Sequence, residues 1–230
     1  MKYSVLLCDG DDTLLDFQAA ERAAFAATVE KCGLCYSEDL LERYSRINIS
    51  HWKRLERGET TQERLRVERF ADFLAQIGCT ETDATAMCLC FMDELGKQGV
   101  LLPGALDFCR RVRVRMPIVL VTNGIAQVQH QRFARCGLAP YIQSVVISEE
   151  IGSQKPEPEM VYEALRRVGS IDPRRAVLMG DSVTADIAAA RNAGVDSILF
   201  TRGTEPAQGH GATYVAQSFA QAEQILLGEA

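Results

Sequence analysis

The first apolar segment is short, Val5-Leu6-Leu7-Cys8, and it stops at DGDDT, which crowds Asp9, Asp11 and Asp12 into four positions. An apolar run of this length bounded by turn chemistry predicts a buried strand over residues 3–8. The period then changes. Apolar positions recur at helical spacing and predict helices over 18–32, 38–56, 61–77 and 83–96, separated by CGLCYSED, RGETT and GCTETD. Ser37 and Thr60 are the expected N-caps, and Glu63, three residues after Thr60, would complete a capping box.

After Leu101-Leu102-Pro103-Gly104 short apolar runs alternate with amphipathic stretches. Strands are expected over 117–121 (PIVLV), 143–147 (QSVVI), 175–179 (RAVLM) and 195–200 (VDSILF), with helices over 105–115, 125–136, 158–168 and 183–193. Such alternation predicts a parallel sheet covered on both faces. The opening strand belongs to that sheet, yet about a hundred residues separate it from the next, far beyond an ordinary crossover. The expected class is therefore α/β, with a core of residues 1–15 and 101–230 and an all-helical cap domain, 16–100, inserted after the first strand.

Composition narrows the partners. The chain has 230 residues, enough for one core domain plus an insertion, and its 47% hydrophobic and 24% charged residues suit a soluble globular protein. A net charge of -6 offers no basic face for a nucleic-acid backbone, so none is expected as a partner. The apolar run before Asp9 is too short for a secretion signal and no stretch nears the roughly 18 apolar residues of a membrane span, which predicts a cytoplasmic protein. The eight cysteines are then expected to be reduced. Cys32 and Cys35 have zinc-like spacing, but Cys88 and Cys90 do not complete the pattern.

Ligands of an open parallel sheet bind outside the carboxyl ends of its strands. Those ends carry Asp9-Gly10-Asp11-Asp12-Thr13, Thr122-Asn123-Gly124, Lys155-Pro156 and Gly180-Asp181-Ser182, with Asp186 in the following helix. Like charges about 4 Å apart repel by roughly 4 kcal/mol at an effective dielectric near 20, so the acids require something positive beside them or protonation of one group.

DGDDT, VTNG, KPEP and GDSVTAD resemble, in order, the four motifs of the haloacid dehalogenase superfamily of phosphohydrolases, across about 1–15 and 101–230. The resemblance implies a Rossmann-like core, and the helical insertion is similar to the cap of many such enzymes. A phosphoryl group needs an in-line nucleophile, positive charge on its equatorial oxygens and a proton for the leaving oxygen. Asp9 suits the nucleophile that forms an aspartyl-phosphate, and Asp11 the acid that protonates the leaving alcohol and then activates water. Hard carboxylate oxygens suit Mg²⁺, and the resemblance assigns it to Asp9, the backbone carbonyl of Asp11 and Asp181. Thr122 offers a hydroxyl and Asn123-Gly124 backbone amides to the phosphate. Lys155 supplies fixed positive charge to the phosphate and Asp9, while Asp186 would orient Lys155 or a metal-bound water.

Blander readings compete. DGDDT could be a solvated acidic turn, but not a calcium loop, because Leu14 and Ala20 stand where the sharp-turn Gly and bidentate Glu belong. Arg54, Arg57, Arg64, Arg66 and Arg69 read as a solvated helix face, and Phe17 and Trp52 read first as packing residues, with stacking on a base the sharper option. His51, His130 and His210 are too scattered for a ligand set. The family usually has Gly where this chain has Asp12, and the haloacid dehalogenases themselves lack the acid Asp11. DGDDT, LPGA, VTNG and ISEEIG resemble the bacterial pyrimidine 5'-nucleotidase branch, which implies a nucleoside monophosphate as the small phosphorylated partner. A phosphatase or phosphomutase on sugar phosphates or other small metabolites is the alternative. A receiver-like phospho-accepting module fits less well, because no strand ending in an acid directly precedes the Thr122 strand.

Overall fold

The computed structural model describes residues 2–206 and 208–228. Six parallel strands form one sheet: β1 (Val5–Cys8), β2 (Ile118–Thr122), β3 (Ser144–Ile147), β4 (Ala176–Gly180), β5 (Asp196–Phe200) and β6 (Tyr214–Ala216). Their order is β3-β2-β1-β4-β5-β6, with β1 central between β2 and β4. Cys8 lies opposite both Leu120 and Met179, so the residues that follow these three strands emerge together along one edge.

The strands read as continuous apolar runs because both faces are covered. On one face Leu6, Cys8, Leu120 and Met179 pack under α5 (Ala105–Arg113) and α10 (Phe219–Leu227). On the other, Val5, Leu7, Val119 and Leu178 meet α8 (Glu159–Arg167) and α9 (Ala188–Ala193). The crossover after β2 is α6 (Ala126–Arg135), and a single turn, α7 (Ser148–Ile151), follows β3. Among the described residues, no helix is long and apolar enough to cross a membrane.

Between β1 and β2 run four helices, α1 (Phe17–Lys31), α2 (Glu38–Glu56), α3 (Gln62–Gln76) and α4 (Ala84–Gly96). They have their own apolar cluster, which reaches the rest of the chain at Ile125 and Val128. Its centre is aromatic: Tyr44 stacks on Phe25 and Phe70 at ring separations of 4.8 and 5.1 Å, and Phe73 meets Phe25 edge-on at 5.4 Å.

Two local expectations need correction. The cap of α3 is Thr61, whose side chain accepts from the Arg64 N–H, so Glu63 is not the third residue of a Thr60 capping box. Adjacent threonines leave such a cap ambiguous by one position. The helix expected over 183–193 begins as one wide π turn, Val183–Ile187, in which the Asp186 and Ile187 N–H groups both donate to Ser182 O, at 2.9 and 3.1 Å. The turn brings Asp186 back against Gly180, where an added Cβ would lie 2.2 Å from the Asp186 carboxyl carbon.

Because Phe73 is fully buried in the aromatic cluster, Phe73→Ala is expected to cost about 3–5 kcal/mol in denaturant unfolding. A cost below about 1 kcal/mol would mean that this cluster does not hold the helices together.

Candidate active site

The carboxyl edge of the sheet is organised around one ammonium group. Lys155 is 2% exposed, and its Nζ donates to Asp9 Oδ1 at 2.5 Å, Asp186 Oδ1 at 2.6 Å and Val121 O at 2.8 Å. Asn123 fixes the segment that carries it: its Nδ2 donates to Lys155 O, and its Oδ1 accepts from the Lys155 N–H, both at 2.8 Å. Asp186 is held in turn, since its Oδ2 accepts from the Ser182 N–H at 3.0 Å.

Burial shapes these charges. It alone would lower the Lys155 pKa, but Asp186 and Asp9 beside it raise the group above its ordinary value. Burial raises Asp9 well above the usual carboxylate range; Lys155 opposes this, while Asp186, Asp181 and Asp11 add to it. Burial, with the neighbouring charges of Asp186 and Asp12, pushes the Asp181 carboxyl up to about 7. Asp9, Asp181 and Asp186 each offer an oxygen atom, all within 4.8 Å of one another. Among the described residues, Asp181 has no cation within 4.0 Å.

Two residues that sequence reasoning missed hold Asp11, and one of them joins it to Thr122. Gln129 Nε2 donates to Thr122 Oγ1 at 2.9 Å and to Asp11 Oδ2 at 2.8 Å. Arg132, 1% exposed, donates to Asp11 Oδ1 through Nη1, and its Nε reaches Gln98 O at 3.1 Å. The available signal was their i, i+3 spacing on the helix that follows Thr122-Asn123-Gly124, which puts both on one face.

Asp12 has a conformational explanation. Its φ is +56°, in the left-handed region that glycine enters freely and Asp more readily than most residues. Arg202 Nη1 donates to Asp12 Oδ1 at 2.8 Å.

The four-helix layer closes the site into a cleft of about 340 Å³, with Asp9, Thr122 and Lys155 on one wall and Phe17, Asn48 and Trp52 on the other. Hydrogen bonds tie the walls: Gln62 Nε2 donates to Asn123 O at 2.7 Å and Gln154 Nε2 to Leu55 O at 2.8 Å. Arg69 is not solvated, as the helix-face reading expected; it is 2% exposed and donates to Asn48 Oδ1 at 2.8 Å. Phe17 and Trp52 are only half-buried, and both border the cleft.

Residues 3–194 match the haloacid dehalogenase-like hydrolase family, and the chain belongs to it. It is a phosphatase of that family, a hydrolase of phosphoric monoesters. It is 34% identical over 202 residues to the pyrimidine 5'-nucleotidase PynA of Streptococcus pneumoniae, covering 87% of this chain and 84% of that one. It is 26% identical over 227 residues to the pyrimidine 5'-nucleotidase YjjG of Escherichia coli, covering 98% and 99%. The HAD-hydrolase YfnB of Bacillus subtilis is 31% identical over 205 residues, 89% of this chain and 87% of that one. The YfnB crystal structure, bound to magnesium, superposes with a TM-score of 0.91 over 98% of this chain and 99% of that one, at 30% identity.

The left-handed backbone at residue 12 sets an expectation. Asp12→Gly and Asp12→Ala both lose the Arg202 pair, but alanine also meets a cost of about 1–2 kcal/mol in this conformation. Asp12→Ala should therefore melt about 2–8 °C below Asp12→Gly in a thermal scan. Equal melting temperatures would contradict the strain argument.

Proposed function

We propose that this enzyme is a Mg²⁺-dependent nucleoside 5'-monophosphate phosphatase, with a pyrimidine nucleotide as substrate, acting through an aspartyl-phosphate on Asp9. In this reading residues 16–100 work as a cap over a core of residues 1–15 and 101–230. The observation that carries the reading is the Asp9–Lys155–Asp186 cluster at the floor of a cleft whose opposite wall bears aromatic side chains. The likeness to PynA and YjjG supports the choice of nucleotide.

Each residue has a role in the proposed reaction. Lys155 binds Asp9 Oδ1 and leaves Oδ2 as the attacking atom, its nearest hydroxyl being Thr13 Oγ1 at 3.4 Å. Thr122 and the amides after it receive the phosphoryl oxygens, with Gly124 N already donating to Thr122 Oγ1 at 3.2 Å. Asp11 protonates the leaving ester oxygen and then takes a proton from the water that hydrolyses the acyl phosphate. Asp186 holds Lys155 in place. The donor set fits magnesium: it is all hard oxygen, and Asp181 has no protein cation to balance it among the described residues. Asp9, the Asp11 carbonyl and Asp181 would hold the ion, which would supply charge neutralisation between carboxylates and phosphate.

The test is a phosphatase screen over UMP, dUMP, dTMP and sugar phosphates, with Mg²⁺ and then with chelator. Asp9→Asn should lower kcat by about a thousandfold or more, and chelation should abolish activity. Wild-type activity in Asp9→Asn would overturn the mechanism. A specificity constant for sugar phosphates about tenfold above those for the nucleotides would overturn the substrate.

A pH dependence follows for the metal-free protein. Asp181 titrates near 7 when folded, against about 3.9 unfolded, so the folded chain retains a proton that the unfolded chain releases. Its stabilising effect is complete below about pH 4 and is lost as pH rises through 7. In chelator the melting temperature should fall between pH 5 and pH 8, and Asp181→Asn should flatten that fall. An unchanged slope in the variant would rule Asp181 out as its source.

A further inference from the structure

We propose that Asn48 reads the hydrogen-bonding edge of a single-ring nucleobase with a side-chain amide whose orientation is fixed by Arg69 and Glu21. The inference rests on the nucleotidase reading and concerns the cap-side wall of the same cleft.

Three helices contribute. Asn48 on α2 is 2% exposed, Arg69 on α3 2% and Glu21 on α1 7%. Arg69 Nη1 donates to Asn48 Oδ1 at 2.8 Å, and Asn48 Nδ2 donates to Glu21 Oε1 at 2.8 Å. Ser45 Oγ occupies the second Glu21 oxygen at 2.6 Å. Among the described residues, Arg69 Nε has no hydrogen-bond partner. Among the described residues the Arg69 guanidinium and the Glu21 carboxylate form no ion pair with each other; they meet through the amide.

That arrangement is costly for cohesion alone, because well-packed apolar residues of similar volume commonly hold such a layer as well or better. Its chemical consequence is definite. An amide has two N–H donors and two acceptor lone pairs, and the network uses one of each. What remains is one N–H and one lone pair, on an amide that Arg69 and Glu21 prevent from flipping. A uracil-type edge presents its N3–H donor and carbonyl acceptor in one rigid plane, whereas a sugar phosphate offers only rotatable hydroxyls. Asn48 and Arg69 border the cleft whose far wall holds Asp9 and Thr122, and Phe17 and Trp52 border it too. At about 340 Å³ the cleft is near the small end of the usual range for small-molecule sites, which suits one ring better than two.

The probes are UMP, N3-methyl-UMP and ribose 5-phosphate, compared by kcat/KM. With wild-type enzyme, masking N3–H should lower kcat/KM about tenfold or more. Asn48→Leu, of similar size, should collapse the ratio of UMP to ribose 5-phosphate to within about threefold. Glu21→Gln, away from the cleft, should reduce the same ratio less, because the amide is then free to turn. Equal hydrolysis of UMP and N3-methyl-UMP by wild type would overturn the inference with no question of misfolding. So would an Asn48→Leu enzyme that loses the same factor on UMP and ribose 5-phosphate, the mark of a structural role. If wild type prefers ribose 5-phosphate to UMP, it is the nucleotidase reading that fails.

Discussion

One buried ammonium fixes the geometry on which the site depends. Lys155 Nζ joins Asp9 at the end of β1, Val121 in β2 and Asp186 in the turn after β4, while its own backbone is clasped by Asn123 after β2. A buried ammonium is tolerable only when its three donors are satisfied, and here each has an acceptor at 2.5–2.8 Å. Loss of any acceptor would leave an unsatisfied N–H on a buried charged group in the floor of the cleft. The same bonds divide the labour of Asp9: Oδ1 is engaged by the lysine, and Oδ2 accepts from the Thr13 hydroxyl.

The parts legible in the sequence are those where one physical constraint dominates. Strands buried on both faces must be apolar throughout, so β1, β2, β4 and β5 stand out, and the polar residues just beyond them mark the reactive edge. Lys155 and Asp186 could be paired on paper only through the resemblance of KPEP and GDSVTAD to the family motifs. Arg69, Gln129 and Arg132 were hidden because each sits on a helix, and a charged or amide residue at helical spacing does not say which face it occupies. Arg69 was expected on the solvated face, yet it lies 2% exposed beside Phe70 and Phe91, its guanidinium carbon 5.0 and 5.3 Å from their ring centres. The last strand, β6, has only three residues, too few for an alternation to register.

The acidic cluster at 9–12 illustrates how tertiary structure resolves what looks like local repulsion. Each acid acquires its own cation from a distant segment: Asp9 has Lys155, Asp11 has Arg132 and Asp12 has Arg202. None of the three cations lies within a hundred residues of its acid, so the sequence shows the repulsion and only the fold shows its relief. The pairing also explains why the position after Asp11 tolerates a side chain where glycine is usual. Aspartate enters the left-handed region more readily than most residues, and Arg202 engages the carboxylate that results.

Those pairings leave a definite remainder. Asp9 and Asp186 share one lysine, and Asp181 has no ion-pair partner among the described residues, so three carboxyl groups stand against one ammonium and their full ionisation would leave an excess of negative charge. A phosphate monoester arriving in such a site would meet repulsion unless a cation entered with it or before it. This is the physical reason that the magnesium and phosphate sites of the proposed enzyme are one site rather than two. It also accounts for the division between the walls of the cleft. The charged groups are concentrated at the sheet edge, while the four-helix wall carries Asn48, Phe17 and Trp52, the side on which the proposal places recognition of a neutral base by shape and hydrogen bonds.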